Sequence, residues 1–299
     1  MTDIVIIGAG PAGLTAALYA LRAGKSVLVL EKASFGGQIN YSPKIENYPG
    51  FIQTSGAELA DKLVEQVIEQ GAEIDVEEVL SIRKNGEGFT VVSDGGEHEC
   101  KAVIIATGAK HRRLHVKGED EYIGEGISFC AVCDGAFYAG KEVCVIGGGN
   151  SALQEALLLS ETSSKVTMIQ NLASFTGEKK LIELVEKKAN IDYVFNSTVK
   201  EFISQSEKIA AKVVNAETGE ETEIAADGFF EAIGLEPENQ NFADVAELDR
   251  GYVKADESCT TSTPGVFVAG DCRTKKIRQI ATAVSDGAAA ALAACDYIS

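Results

Sequence analysis

Two cysteines, Cys130 and Cys133, stand two residues apart in the segment Cys130-Ala131-Val132-Cys133-Asp134. That spacing closes a small, reducible disulfide and lowers the pKa of one thiol, so that a thiolate is at hand for exchange. Asp134, the next residue, is a carboxyl able to give and take the proton that exchange moves. The other chemistry open to a close cysteine pair is half of a zinc site. Zinc needs two further ligands, yet the seven cysteines form no second close pair, and His98, His111 and His115 lack metal-ligand spacing. The spacing therefore favours redox over metal, and Cys100, Cys144, Cys259, Cys272 and Cys295 read as small packing residues.

A second group of residues is made of glycines. The apolar run Ile4-Val5-Ile6-Ile7 has the composition of a strand buried on both faces of a parallel sheet, and it leads into Gly8-Ala9-Gly10-Pro11-Ala12-Gly13. A helix from Leu14 to Ala23 and a strand from Ser26 to Leu30 follow, ending in Glu31. Such a turn brings backbone close to a pyrophosphate, while the helix N-terminus offers N–H donors and partial positive charge. Gly8 and Gly10 permit the tight turn and close approach, Gly13 lets helix and strand touch, and Glu31 is placed to accept from a ribose hydroxyl. The same order returns in strand Glu142 to Ile146, turn Gly147-Gly148-Gly149-Asn150-Ser151-Ala152, a helix to about Glu161 and strand Lys165 to Ile169. Gly270-Asp271, after the apolar strand Val266 to Ala269, puts a carboxylate at a strand's carboxyl end, where it can accept from a polyol hydroxyl such as that of ribitol. An alanine-rich helix from about Ile280 to Tyr297 closes the chain.

Two nucleotide-type units imply an α/β fold with two Rossmann-like, three-layer nucleotide-binding domains, the second inserted in the first. The boundaries expected are 1–115 plus 246–299 for the first domain and 116–245 for a central domain that carries the dithiol. A chain of 299 residues, 45% hydrophobic and 24% charged, is long enough for two cores and excludes both a disulfide-stapled scaffold and disorder. Its net charge of −18 opposes nucleic acid and anionic membrane as partners. Asp3 stands where a signal sequence has a basic region, and glycines and Arg22 interrupt the apolar start, so a cytoplasmic location is expected. Widely spaced cysteines in odd number fit the same reducing compartment.

Gly8 to Gly13, Gly36-Gly37-Gln38, Glu46-Asn47-Tyr48-Pro49-Gly50, Ala106-Thr107-Gly108, Cys130 to Asp134, and Gly270-Asp271 with Arg278-Gln279 follow one another across almost the whole chain. In these motifs and their order the sequence resembles the low-molecular-weight thioredoxin reductases. The resemblance implies FAD, with Gly8, Gly10, Pro11, Ala12, Gly13, Glu31, Gly37, Gln38, Asn47, Ala106, Thr107, Gly108, Gly270, Asp271, Arg278, Gln279 and Ile280 at the cofactor. It also implies a homodimer with no metal, in which Cys133 faces the flavin, Cys130 attacks the disulfide of thioredoxin, and one domain swings between the two tasks.

One stretch departs from that pattern. After strand Lys165 to Ile169 the chain reads Gln170-Asn171-Leu172-Ala173-Ser174-Phe175-Thr176, without the family's usual His-Arg-Arg or the arginine beyond the phenylalanine. Charge-assisted hydrogen bonds contribute roughly 1.5 to 3 kcal/mol each, so losing two phosphate-binding arginines weakens NADPH by about two to four powers of ten. Lys179 and Lys180 are the next cations, too far into the following helix, and Glu231 adds a negative charge to an apolar strand. Gln170 can still bond ribose hydroxyls, which keeps NADH open. The chain is most similar to the ferredoxin-dependent flavin thioredoxin reductases, which keep FAD and the dithiol without the NADPH motif; flavin accepts electrons singly, so ferredoxin is an apt donor. Lys110-His111-Arg112-Arg113 with Lys117, and Lys275-Lys276 with Arg278, are candidate docking patches for acidic partners. The alternatives are an NAD(P)H-dependent thioredoxin reductase with altered preference, a small-molecule dithiol oxidase using oxygen, and a flavin-binding redox sensor.

Overall fold

The computed structural model of the chain describes residues 1–42 and 45–299. Two compact units form, Met1–Lys110 with Glu236–Ser299, and His111–Leu235. The crossings therefore come earlier in the chain than the expected 115/116 and 245/246. No proline- or serine-rich linker marks them in the sequence, and packing alone decides. Residues 111–115 join the central unit, where His111 stacks on Phe129 with ring centroids 5.1 Å apart. Residues 236–245 join the first unit, where Asn239 bonds Thr107.

In the first unit a parallel ladder runs through Glu73–Val76, Val27–Glu31, Thr2–Ile7, Glu97–Ile105 and Val266–Val268. The antiparallel strands Val79–Asn85 and Gly88–Ser93 attach to the first half of Glu97–Ile105. Successive side chains of a strand point to opposite faces, which explains the unbroken apolar run of the first strand. Ile4 and Ile6 enter a core with helices Pro11–Arg22 and Ile280–Tyr297, while Val5 and Ile7 enter a second core with Phe89, Phe242 and Val245. The two helices meet through small residues: a Cβ on Gly287 would stand 2.2 Å from the Ala12 carbonyl oxygen. That close contact fixes where the first glycine turn ends.

The central unit repeats the plan with a five-stranded parallel sheet, ordered Ile191–Val194, Lys165–Ile169, Glu142–Ile146, Gly228–Glu231 and Ile127–Ser128. Val143 and Val145 pack towards helix Asn150–Ser160, and Cys144 and Ile146 towards an antiparallel meander formed by Ser197–Gln205, Lys208–Asn215 and Glu221–Ala226. Both units are thus α/β with Rossmann-like parallel sheets. No helix among the described residues is long and apolar enough to cross a membrane.

Candidate active site

Cys130 and Cys133 are joined as a disulfide, with Cα atoms 5.3 Å apart, at the start of the short helix Ala131–Asp134. Cys130 caps that helix: its carbonyl accepts from the N–H groups of Cys133 and Asp134, and its sulfur accepts from Cys133 N–H at 3.2 Å. Ser128 ties the motif together, accepting from Cys130 N–H at 3.1 Å and donating to Asp134 Oδ2 at 2.6 Å. Asp134 Oδ1 is buried with no hydrogen-bond partner. Burial pushes the Asp134 carboxyl up from its ordinary range, and the Ser128 hydroxyl opposes it. A carboxyl whose hold on its proton is strengthened in this way, beside a disulfide, is suited to proton transfer during exchange. Val132, between the cysteines, is 58% exposed, so the motif lies at the unit's surface. The remaining cysteines are all buried and free; burial pushes Cys144 up to about 12 and Cys272 up to about 11, which keeps them as inert thiols.

The first unit holds the glycine cradle. Gly8 has φ +107°, and a Cβ there would stand 2.4 Å from the Ala106 oxygen, while a Cβ on Gly13 would stand 1.9 Å from the Gly8 oxygen. Gly10 is different: nothing lies within 4 Å of where its Cβ would be. Helix Pro11–Arg22 begins at this opening with no side-chain cap and no acidic residue in its first turn, so its amide donors face no competing carboxylate. Glu31 accepts from Ala9 N–H at 2.8 Å and from Ala33 N–H at 3.0 Å, which closes the turn from the far side. Gly37, with φ +59°, comes within 3.5 Å of Gly10 Cα by its would-be Cβ, and Gln38 follows it exposed at the surface. Asn47 donates to Gln279 at 3.2 Å, and Gln279 caps helix Ile280–Tyr297 together with Thr282. Arg278 donates to the Asp271 carbonyl at 3.2 Å and stacks on Tyr252. Gly8, Glu31 and Thr107 help to line an open cleft of about 390 Å3 in the first unit.

The second glycine turn has another character. A Cβ on Gly147 would stand 2.5 Å from the Ala232 oxygen, and one on Gly148 would stand 2.3 Å from Gln170 Nε2. Gln170 is buried; its amide donates to the Ser174 carbonyl at 3.2 Å and accepts from Asn171 N–H at 3.1 Å. The amide expected to reach ribose hydroxyls therefore serves its own loop. That loop lies over the turn through Thr176 N–H to the Gly148 carbonyl and Glu178 N–H to Asn150 Oδ1 at 2.7 Å. Lys179 begins the next helix fully exposed, 3.9 Å from Glu183.

Residues 2–287 match the family of pyridine nucleotide-disulphide oxidoreductases. The chain belongs to that family. It is 42% identical over 99% of its length to a 34.2 kDa protein in a rubredoxin operon of Clostridium pasteurianum, covering 97% of that protein. It is 40% identical to the thioredoxin reductase of Listeria monocytogenes, with 99% of this chain and 93% of that one covered. The crystal structure of thioredoxin reductase from Streptococcus pyogenes superposes with a TM-score of 0.93 at 39% identity, covering 99% and 98% of the two chains.

Pyridine nucleotide-disulphide oxidoreductases and thioredoxin reductases bind FAD, and the first unit fits that cofactor. Asp271 Oδ1 is buried without a partner, at the end of the strand next to the glycine turn, and burial pushes its carboxyl up. A buried orphan acceptor beside an open helix N-terminus is what a polyol chain and a pyrophosphate require.

Several positioning residues escaped the sequence. Asn239 accepts from Thr107 at 2.8 Å and donates to the carbonyls of Gly251 and Cys272, both at 2.9 Å. Asp286 accepts from Gly270 N–H at 3.0 Å, from Arg273 at 2.9 Å and from Lys275 at 2.7 Å. No motif announces either; only the fold brings them to the turn.

One expectation about charge is corrected. Glu231 is buried, and burial together with the neighbouring Glu119 pushes it up to about 8, so near neutrality it is largely uncharged and adds little negative field. Four cations of the basic runs form ion pairs within the chain: Lys110 with Glu238 at 3.0 Å and Lys117 with Glu201 at the surface, and Arg113 with the buried Glu119 at 3.1 Å and Lys275 with the buried Asp286 at 2.7 Å. Burial lowers His111 to about 4, so it carries no charge either. Arg112 and Lys276 are exposed, and so are the paired Lys110 and Lys117.

Proposed function

We propose that this oxidoreductase reduces the disulfide of thioredoxin with FAD as cofactor, and that its electrons come from a one-electron carrier such as ferredoxin and not from NADPH. The observation that carries the donor assignment is the loop on the second glycine turn. Between Gln170 and Glu178 it contains no lysine or arginine, and its one buried amide is spent within the loop. A 2′-phosphate would meet neutral groups there and lose the charge-assisted bonds that distinguish NADPH.

FAD, when bound, supplies a two-electron store that can be filled one electron at a time and discharged to a disulfide. The chain's own residues do the rest. Gly8 to Gly13 present open amide donors to a pyrophosphate, Glu31 lies on the adenosine side, and Asp271 offers its unpartnered oxygen to a ribityl hydroxyl. In the central unit Asp134 gives a proton to one sulfur of the opened disulfide and leaves the other as thiolate. Cys130 thiolate attacks thioredoxin's disulfide, forming a mixed disulfide and expelling one thioredoxin thiolate. Cys133 then attacks Cys130, the Cys130–Cys133 bond returns, and the second thioredoxin sulfur leaves. The working form is a homodimer in the cytoplasm.

A second reading, an NAD(P)H-dependent thioredoxin reductase with altered preference, draws on the retained glycine turn and on relatives named thioredoxin reductase. One anaerobic titration separates the two. Reduced ferredoxin alone should bleach the flavin's visible band, and oxidised thioredoxin should restore it. Rapid bleaching by NADPH rejects the donor assignment, and a small dithiol that bleaches the flavin and drives oxygen uptake rejects thioredoxin reduction in favour of an oxidase.

A further inference from the structure

Three consecutive carbonyls in the segment Gly270-Asp271-Cys272-Arg273 are held by side chains from outside it. Arg278 donates to the Asp271 carbonyl at 3.2 Å and to the Arg273 carbonyl at 3.3 Å, and Asn239 Nδ2 donates to the Cys272 carbonyl at 2.9 Å. Asn239 is wholly buried, and its other two bonds lead away in two directions. Its Oδ1 accepts from the Thr107 hydroxyl at 2.8 Å, in the turn Ala106-Thr107-Gly108. Its Nδ2 donates also to the Gly251 carbonyl at 2.9 Å. The next residue, Tyr252, presents its ring to the Arg278 guanidinium, 4.3 Å from the centroid. One amide thus reaches Asp271 by two routes, through the carbonyl of the following residue and through the ring that seats Arg278. Three residues further on, Phe242 is buried in one core with Val253 and Cys272, which anchors the segment that bears Asn239.

Pinning of this kind explains how Asp271 Oδ1 stays buried without a partner. A buried acceptor left unpaired costs free energy, and a turn free to rotate its peptide groups would move to pair it. With the carbonyls of Asp271, Cys272 and Arg273 all committed to Arg278 and Asn239, that movement is closed off. We propose that Asn239 is a positioning residue for the flavin site: by tying the Thr107 turn to the Asp271 turn, it keeps the Asp271 carboxyl open for a hydroxyl of the cofactor. The proposal rests on the reading of Asp271 as a ligand of FAD.

The two turns that Asn239 joins both press on the first glycine turn. A Cβ on Gly8 would stand 2.4 Å from the Ala106 oxygen and 3.2 Å from Thr107 N, and a Cβ on Gly270 would stand 2.8 Å from Ala12 Cβ. A shift of either turn would therefore be felt where the pyrophosphate is expected. Asn239 has no exposed surface, so it acts through the turns and not by touching the cofactor. Asp286 grips the Asp271 turn from another side, accepting from the Gly270 N–H at 3.0 Å, with Arg273 and Lys275 as its other partners. That grip fixes where the turn begins, whereas Asn239 fixes how it stands against Thr107.

The test compares four flavin-loaded proteins: the parent, Asn239→Ala, Asp271→Ala and the double variant. Free FAD is measured in the ultrafiltrate on serial dilution, which gives a dissociation constant without recourse to turnover, and thermal melts show that each protein is folded. Removing the residue behind a ligand-contacting group costs about 10- to 100-fold at metal sites, and Asn239→Ala should weaken FAD binding by the same order. In the Asp271→Ala background the same substitution should cost less than about threefold, because the group it positions is gone. A residue that merely adds stability lowers the melting temperature and leaves the two losses to multiply. Multiplied losses therefore overturn the proposal, and so does an unchanged FAD affinity in Asn239→Ala. Should Asn239→Ala fail to fold, Thr107→Val keeps the side-chain shape and cuts the first bond of the network. It should weaken FAD by about 3- to 10-fold, and by less than about twofold beside Asp271→Ala; an equal loss in both backgrounds overturns the proposal. If Asp271→Ala holds FAD as tightly as the parent, the reading of Asp271 as a ligand fails and the proposal with it. A weakened Asp271→Ala with multiplied losses removes only the role of Asn239.

Discussion

Arginine at positions 171 and 172 should confer NADPH binding on this chain. Asn171 and Leu172 are both exposed, so the substitutions disturb no core. The backbone contact of the segment, Asn196 N–H to the Leu172 carbonyl, does not depend on side-chain identity. Gln170 is buried against Gly148 and should be left in place. Two charge-assisted bonds to a 2′-phosphate, at roughly 1.5 to 3 kcal/mol each, correspond to about a 100- to 10,000-fold gain in affinity. Solvent and salt screen exposed charges, so the lower end is expected, and it should shrink further as ionic strength rises. The assay is anaerobic flavin bleaching by NADPH and, in parallel, by NADH, for the parent and for Asn171→Arg/Leu172→Arg. NADH lacks the phosphate and should gain almost nothing. Equal gains for the two nucleotides, or none for either, would show that missing cations are not what separates this loop from an NADPH site.

Two further perturbations test the supporting structure. Asp286→Ala leaves the buried Lys275 without its carboxylate and Arg273, whose side chain is 2% exposed, with only the exposed Glu257 at 3.4 Å, and should lower unfolding free energy by about 3 to 5 kcal/mol in a denaturant melt while loosening the bound flavin. Glu231, pushed up to about 8 by burial and by Glu119, takes up a proton on folding, so its contribution makes stability fall as pH rises from the ordinary glutamate range through 8. Glu231→Gln should flatten that slope and be the more stable protein at pH 8 by roughly 1 to 3 kcal/mol; a slope that survives the substitution assigns it to another group.

What the sequence made legible was whatever is written locally. The strand Thr2–Ile7, the turn after it and the final helix at Ile280 follow from apolar runs and glycines within a few residues of one another. The dithiol follows from a spacing of two. The first helix begins at Pro11 and not Leu14 because proline's fixed φ suits the first helical position, a signal that could have been used. What stayed hidden depends on distant partners. Thr107 and Asn239, which are hydrogen-bonded, are 132 residues apart. Glu231 was legible as a residue but not as a charge, because its ionisation is decided by Glu119 and by burial.

The two glycine turns offer a sharper separation between what a fold needs and what a ligand needs. In the second turn Gly147 is held by the Ala232 oxygen and Gly148 by Gln170, so both would be kept whether or not a dinucleotide binds. This accounts for a turn that persists without its phosphate-binding cations. Gly149 is not so constrained: it caps its helix at φ −86°, and the nearest atom to its would-be Cβ is Thr176 Oγ1 at 3.9 Å. Gly10 is its counterpart in the first turn, a helix cap at φ −77° with nothing within 4 Å. Each site tolerates alanine sterically, and the weaker capping by alanine and the lower entropy of its unfolded chain offset one another to within about 1 kcal/mol. The protein alone thus gives no reason for the two substitutions to differ. A ligand does, since a methyl group at the turn stands where a pyrophosphate must approach. Gly10→Ala should therefore lose flavin on gel filtration while melting near the parent temperature, and Gly149→Ala should keep both its flavin and its ferredoxin-driven reduction of thioredoxin. If Gly149→Ala stays folded and flavin-loaded but turnover collapses, the second turn holds a working ligand and the reading of its loop is wrong.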